Sequence, residues 1–132
     1  MTTDEEGILD TSAVILLGQV PPTALPGTPR ITSITLAELS VGPLVAKDEN
    51  ERLIRQARLL QVEADFDPIP FDDQAARTFG TVSANLRQLG RKSAARTYDS
   101  LIAAVAISRG LPLFTANARH FQGIDSLVVR QV

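Results

Sequence analysis

Three acidic residues lie at points where predicted strands give way to helices, and each has strongly apolar neighbours. They are Asp10, Glu38 and Asp99. An unpaired charge among apolar residues is costly, so carboxylates in such places need partners. Carboxylate oxygens are the ligands that hard divalent cations prefer. If the fold brings the three together, the sequence predicts a carboxylate pocket that needs a divalent cation, a chemistry suited to phosphodiester hydrolysis.

Two further polar residues accompany these acids. Ser12 follows Asp10 by two positions, and Asn117 follows another predicted strand. An amide carbonyl oxygen can coordinate a cation or hold a water molecule on it. The sequence has no cysteine and a single histidine, His120, which makes a zinc site with sulfur or histidine ligands implausible. A lone histidine after a strand is more often structural, so we assign His120 no catalytic role.

Simpler structural interpretations remain open for two of the acids. Glu38 lies three residues after Thr35 and can return to its amide in a capping box. Asp99 lies in a first helical turn, where a negative charge complements the helix dipole. Asp10 is harder to explain in this way, because Ser12 can cap the following helix by itself.

The charge of the chain is divided unevenly. Residues 1–86 hold 13 acidic and 6 basic residues, whereas residues 87–132 hold 2 acidic and 7 basic residues. Arg91, Lys92 and Arg96 belong to a basic stretch just before Asp99, and such a stretch attracts phosphate-rich partners. We predict that these three contact the phosphates of such a partner, which the family resemblance given below implies to be RNA. The alternative is a solvated helix end and loop.

The pattern along the chain predicts alternating strands and helices in one domain, 1–132, with 1–6 as a flexible extension and 21–29 as a loop. Such alternation is typical of an α/β fold: a parallel sheet of about five short strands, in the order 3-2-1-4-5, with helices on both sides. Prolines place the third strand at an edge. The predicted strands are 7–10, 30–33, 67–71, 112–115 and 127–130, and the predicted helices are 12–18, 35–44, 48–64, 73–89 and 97–109.

Right-handed crossovers place the polar residues at one edge of this sheet. Asp10 ends strand one, Glu38 follows strand two, Asp99 begins the helix that feeds strand four, and Asn117 follows that strand. If strands one and four are neighbours, their ends form the switch point at which open α/β sheets bind ligands.

Four motifs occur here in the order found in PIN-domain ribonucleases, and the chain resembles the VapC toxins of toxin–antitoxin pairs from residue 7 to the end. The motifs are Ile8-Leu9-Asp10-Thr11-Ser12-Ala13, Thr35-Leu36-Ala37-Glu38-Leu39, Tyr98-Asp99-Ser100-Leu101-Ile102-Ala103-Ala104 and Thr115-Ala116-Asn117-Ala118-Arg119-His120-Phe121.

The resemblance implies a Mg²⁺-dependent endoribonuclease, with Mn²⁺ able to substitute, that a cognate VapB-type antitoxin neutralises. It implies catalytic roles for Asp10, Glu38, Asp99, Asn117 and Ser12, and it makes the three acids the metal ligands. Many relatives carry an acid at or near Asn117, so this chain has three carboxylates in place of four, and the number of metal ions stays open. The resemblance also implies a homodimer.

Two other classes of function remain as alternatives. A phosphoacceptor receiver domain also has acids at the carboxyl edge of a parallel sheet, but it needs an acidic pair near strand one and a late lysine, whereas the last lysine here is Lys92. A catalytically weak PIN-fold module that binds RNA or protein is the second alternative. The acidic N-terminus is unlike a signal peptide, and no apolar run is long enough to cross a bilayer, so we expect a cytoplasmic protein without a membrane segment.

Overall fold

Four short parallel strands form the sheet in the computed structural model, which describes residues 3–91 and 96–132. Their spatial order is β2-β1-β3-β4. This order confirms the arrangement predicted for strands two, one, four and five. The strands are β1 (Thr3–Leu9), β2 (Pro26–Arg30), β3 (Leu113–Thr115) and β4 (Val129–Gln131).

Five α-helices connect and cover these strands in the described residues. Asp48 and Asp72 cap α3 and α4 by accepting backbone hydrogen bonds from the third residue of each helix. Gly110 ends α5 in the left-handed conformation at φ 66°, which glycine adopts without steric cost. The helices are α1 (Thr11–Ile15), α2 (Ser33–Val41), α3 (Glu49–Asp65), α4 (Asp73–Gln88) and α5 (Thr97–Arg109).

The strand predicted at 67–71 is wrong as an element but correct in its position. Ile69 forms an isolated parallel bridge with Thr32 just beyond β2. Its amide donates to the Ile31 carbonyl at 2.9 Å, and its carbonyl accepts from the Ser33 amide at 2.9 Å. Prolines at 68 and 70 flank it. The ladder stops there because the chain enters α2 at Ser33, whose hydroxyl accepts from the Phe71 amide at 3.2 Å in place of a backbone carbonyl.

β1 is longer than predicted, and β2 lies at 26–30 in place of the predicted 30–33. β1 begins at Thr3, inside the segment expected to be a flexible extension, and β2 begins at Pro26, inside the expected loop. Thr3 pairs with Pro26. An ion pair of 2.7 Å between Arg30 and Glu6 joins the two strands. β2 tolerates its prolines because it is an edge strand of the sheet. In the described residues, only the isolated bridge between Thr32 and Ile69 extends the sheet on that side.

Alternation along the central strands divides the core into two layers. Ile8 and Leu113 face the layer formed with α4 and α5, whereas Leu9 and Phe114 face the layer formed with α1, α2 and α3. All four of these side chains are buried. Helices therefore cover both faces, and the sheet brings the ends of β1 and β3 side by side, as the topological switch point requires.

In residues 3–91 and 96–132, no helix is long and apolar enough to cross a membrane.

Candidate functional site

Asp10 lies directly after β1, and its side chain is only 2% exposed. Its Oδ1 accepts hydrogen bonds from the Ala13 amide at 2.9 Å and the Ser12 hydroxyl at 2.6 Å. Its Oδ2 accepts from the Thr115 hydroxyl at 2.5 Å. Asp10 is therefore the N-cap of α1, and the expectation that Ser12 caps this helix is wrong. The reason is local. Asp10 is the residue directly before the helix, and from this position its carboxylate accepts the hydrogen bond of the Ala13 amide.

Ser12 links this carboxylate to the loop that follows β3. Besides donating to Asp10, its Oγ accepts a hydrogen bond from the Ala116 amide at 3.0 Å and lies 3.3 Å from the Thr115 hydroxyl. Ser12 thus spans 104 positions of sequence to join two strand ends. The orienting role expected of Ser12 stays a prediction, and this contact is the geometry on which it rests.

Thr115 is a member of the site that the sequence reasoning did not single out. It is fully buried at the end of β3, donates to Asp10 and accepts from the Asn117 amide at 2.9 Å. A single side chain thereby fixes both the buried carboxylate and the loop that begins at Asn117. The sequence does carry one signal for Thr115. It is a polar residue at the end of a predicted buried strand, and it begins the motif that contains Asn117.

Glu38 lies on α2 and is half-buried. Its carboxylate accepts a hydrogen bond from the Thr11 hydroxyl at 2.7 Å. The capping-box interpretation is wrong, because the N-cap of α2 is Thr32, which accepts from the Thr35 amide at 3.3 Å. Thr35 is instead the third residue of α2, where it is buried with its hydroxyl 3.1 Å from that of Thr11. The carboxylate of Glu38 is therefore turned toward the start of α1.

Asp99 lies in the first turn of α5, and its side chain is 28% exposed. Its Oδ2 lies 3.3 Å from Nδ1 of His120, which belongs to the short 3₁₀ turn Ala118–Phe121. The same ring nitrogen lies 3.0 Å from the Arg96 guanidinium. The structure thus places His120, to which we assigned no catalytic role, in direct contact with a candidate ligand.

The three carboxylates affect one another electrostatically. Burial raises the pKa of Glu38; the Thr11 hydrogen bond opposes this, and the charges of Asp99 and Asp10 raise the pKa further. Burial also raises the pKa of Asp99, and the charge of Asp10 raises it further. His120 and Arg96 lower the pKa of Asp99 but do not cancel this increase. Each shift reflects negative charge collected in partly desolvated space, and a cation would relieve it.

The donors suit a hard cation, although they do not form a closed cage. In the described residues, no three acidic or histidine side chains cluster tightly enough to hold an ion by themselves. Mg²⁺ typically takes one or two carboxylates and keeps several waters. An all-oxygen set with mutual repulsion and room for water therefore fits such an ion.

Asn117 is exposed and begins the 3₁₀ turn, but its side chain does not cap it. In the ranges that the structure describes, no hydrogen bond joins its amide group to Asp10, Glu38 or Asp99. Its predicted role as a metal-site residue thus stays a prediction.

A cavity of about 540 Å³ opens beside Asn117 and is lined by the basic side chains of Arg91, Arg96, Arg119 and His120. The Arg91 guanidinium donates to the carbonyl of Gln122 and, at 3.0 Å, to that of His120. Of the three residues predicted to contact RNA, Arg91 and Arg96 reach this cavity, and Lys92 lies outside the described residues.

Comparison with known proteins gives a consistent result. The PIN domain family matches residues 8–127. The chain is 41% identical over 117 residues to ribonuclease VapC5 of Mycobacterium tuberculosis, covering 86% of this chain and 84% of the relative. It is 33% identical over 129 residues to ribonuclease VapC1 of Rickettsia felis, covering 95% of each.

A solved structure shares the fold over nearly the whole chain. It is VapBC-5 of Mycobacterium tuberculosis, a member of the VapBC family of toxin–antitoxin systems, with a TM-score of 0.84 and 38% identity over 96% of this chain and 98% of that one. The chain therefore belongs to the PIN domain family, among the VapC proteins.

Proposed function

We propose that this chain is a Mg²⁺-dependent endoribonuclease, the toxin of a VapBC-type pair. The observation that carries the proposal is that Asp10 lies close enough to both Glu38 and Asp99 at the carboxyl edge of the sheet for its charge to raise the pKa of each. Relatives that share a third or more of the sequence are named ribonucleases. Because the substrate is cellular RNA, we also propose a cytoplasmic location.

The chain's own residues divide the work around the cation. Asp10 and Asp99 would hold the ion, and Glu38 would act through water or position the attacking water. Ser12 orients Asp10, and Asn117 holds a water at the rim. When bound, the ion supplies positive charge to the phosphate and lowers the pKa of water. The oxygen-only set excludes a preference for zinc, and Mn²⁺ accepts the same ligands.

Asp10 is held ready for this role. Three donors fix its two oxygens, so little reorganisation is needed when a cation arrives. Glu38 has a single donor from Thr11 and keeps one oxygen for water. This contrast favours Asp10 as the anchor and Glu38 as the residue that acts on the nucleophile.

The test is RNA cleavage with Mg²⁺ and with EDTA, using wild type, Asp10→Asn and Asp48→Asn. Asparagine can also cap a helix, so both variants keep their caps, and Asp48 caps α3 outside the site. We expect cleavage only with the metal, its loss in Asp10→Asn, and its retention in Asp48→Asn. Full activity in Asp10→Asn, or activity in EDTA, would contradict the proposed metal-dependent mechanism. A wild type that does not cut RNA with Mg²⁺ would favour the binding-module alternative.

An apolar surface on α2 and α3 fits the proposed antitoxin. Leu53, Ala57 and Leu60 are apolar residues of α3, and all three are exposed. Val41 is also exposed, whereas Leu39 is buried and belongs to the core. We propose that an apolar antitoxin helix covers this surface.

We further propose a homodimer, which light scattering of the purified protein tests.

A further inference from the structure

The basic cavity of about 540 Å³ lies beside the carboxylate site and shares residues with it. His120 lines the cavity and also contacts Asp99 at 3.3 Å. Asn117 lines it, and the Asn117 backbone amide donates to the hydroxyl of Thr115, the residue that fixes Asp10. A strand that places one phosphate at the carboxylates therefore reaches this cavity with the next part of its backbone.

The lining is positive. Three arginines and one histidine contribute to it, together with amide side chains, and no carboxylate does among the described residues. A cavity of this composition repels cations and attracts anions, with planar guanidinium groups that match phosphate oxygens in pairs.

The arginines are not equally available. Arg91 uses its guanidinium to hold carbonyls of Gln122, His120 and, at 3.5 Å, Arg119. These bonds fix the 3₁₀ turn and leave Arg91 little to offer a ligand. Arg91 therefore acts as a support for the turn, which differs from its predicted role in RNA contact.

Arg119 has the opposite character. Its side chain is exposed and makes no hydrogen bond or ion pair within residues 3–91 and 96–132. Arg96 is intermediate. One of its guanidinium nitrogens contacts His120, and the other guanidinium nitrogens make no hydrogen bond to residues 3–91 or 97–132. The turn held by Arg91 thus presents an uncommitted arginine at the mouth of the cavity.

We propose that this cavity is a subsite for a phosphate of single-stranded RNA next to the one that is cleaved, with Arg119 as its principal contact and Arg96 as its second. The inference rests on the proposed ribonuclease function and deepens it. Sequence spacing alone favoured 91, 92 and 96; the structure moves the main contact to residue 119.

The experiment compares Arg119→Gln with Arg77→Gln. Arg77 is an exposed arginine near the start of α4. The N-cap of this helix, Asp72, contacts Arg109 at the opposite end of α5 from Asp99. Binding of a single-stranded RNA oligonucleotide is measured in EDTA from about 50 to 200 mM NaCl, and cleavage is measured with Mg²⁺.

We expect Arg119→Gln to weaken RNA binding about 10-fold and to raise KM with little change in kcat, because a contact to a neighbouring phosphate holds ground state and transition state alike. The slope of log Kd against log salt should fall by about 0.7, the value for one phosphate contact on a single strand. Arg119→Lys should restore the slope. Arg77→Gln should leave the slope and the KM at their wild-type values.

Equal slopes and equal KM values for Arg119→Gln and Arg77→Gln, in an enzyme that cleaves RNA, would overturn the subsite and leave the proposed function intact. A wild type that binds RNA but does not cut it with Mg²⁺ would instead overturn the function. If Arg119→Gln leaves RNA binding unchanged and weakens only an antitoxin peptide, the cavity takes an acidic peptide and the subsite is wrong. Thermal unfolding of each variant checks that the fold is kept.

Discussion

The acidic and basic halves of the site are built by different means. Around Asp10, short side chains hold one another in a buried setting, and each donor comes from the strand end or helix turn next to it. Around the cavity, long arginines reach across a 3₁₀ turn to backbone carbonyls or remain uncommitted. The acidic half is therefore fixed before any ligand arrives, whereas the basic half keeps freedom to follow a flexible strand.

The energetic consequences differ as well. Removing a partner from a buried carboxylate costs its desolvation, about 1–3 kcal/mol or more. An exposed charged contact is screened by water and salt and contributes far less. Changes in the acidic half should therefore affect catalysis and stability strongly, and changes in the basic half should mainly affect substrate affinity.

The largest effect is expected for Asp99→Asn. It removes a proposed metal ligand, and since even a supporting partner of a ligand costs about 10- to 100-fold, RNA cleavage should fall by more than about 100-fold. The variant should also unfold at a higher temperature in EDTA, because one of the repelling charges is gone. Cleavage assays and thermal unfolding check this; a variant as active as wild type would remove Asp99 from the mechanism.

The next effect tests the buried support of Asp10. Thr115→Val keeps the shape but removes the hydroxyl that donates to Asp10 at 2.5 Å. We expect metal affinity and cleavage to fall about 10- to 100-fold. Thr115→Ser is the control and should keep most activity, because it retains the hydroxyl. If both variants behave alike, packing at this position matters and the hydrogen bond does not.

A smaller effect is expected in the basic half. Arg91→Gln removes the charged donor that holds the 3₁₀ turn, so the melting temperature should fall by a few degrees and kcat should decrease less than 10-fold. Arg87→Gln, in the last turn of α4, is the matched control. A change in the salt dependence of RNA binding without a loss of stability would instead make Arg91 a direct RNA contact.

The smallest effect is a pH dependence. The pKa of Glu38 is raised above its ordinary value of 4.5 in the folded protein. Between the two values the folded state binds more protons than the unfolded state, so this stabilisation is complete below about pH 4.5 and is lost as the pH rises through the folded pKa.

Glu38→Gln removes this titration. In EDTA, the melting temperature of wild type should decline relative to that of the variant as the pH rises from about 4.5 toward neutrality. Saturating Mg²⁺ should reduce the difference, because the cation offsets the repulsion among the carboxylates. Parallel curves in EDTA would show that the pKa of Glu38 is the same in the folded and unfolded states.

Much of the fold follows from local pattern. The apolar runs around Ile8 and Leu113 predict buried strands, and the capping role of Asp72 and the stop at Gly110 are readable one turn at a time. The errors arose where pairing partners decide the outcome. The start of α2 at Ser33 limits the apparent strand at 67–71 to one bridge, and the acidic start of β1 becomes a strand only because β2 pairs with it.

The sequence by itself determined that Asp10, Glu38 and Asp99 gather at one edge of a parallel sheet, because strand ends and helix starts follow from periodicity and chain direction. Only the tertiary structure decided what holds and surrounds them: Thr115 on Asp10, His120 on Asp99, and Arg91 beneath the turn that presents Arg119. Those contacts join residues 21 to 105 positions apart, and short-range pattern carries no information about which distant side chains meet.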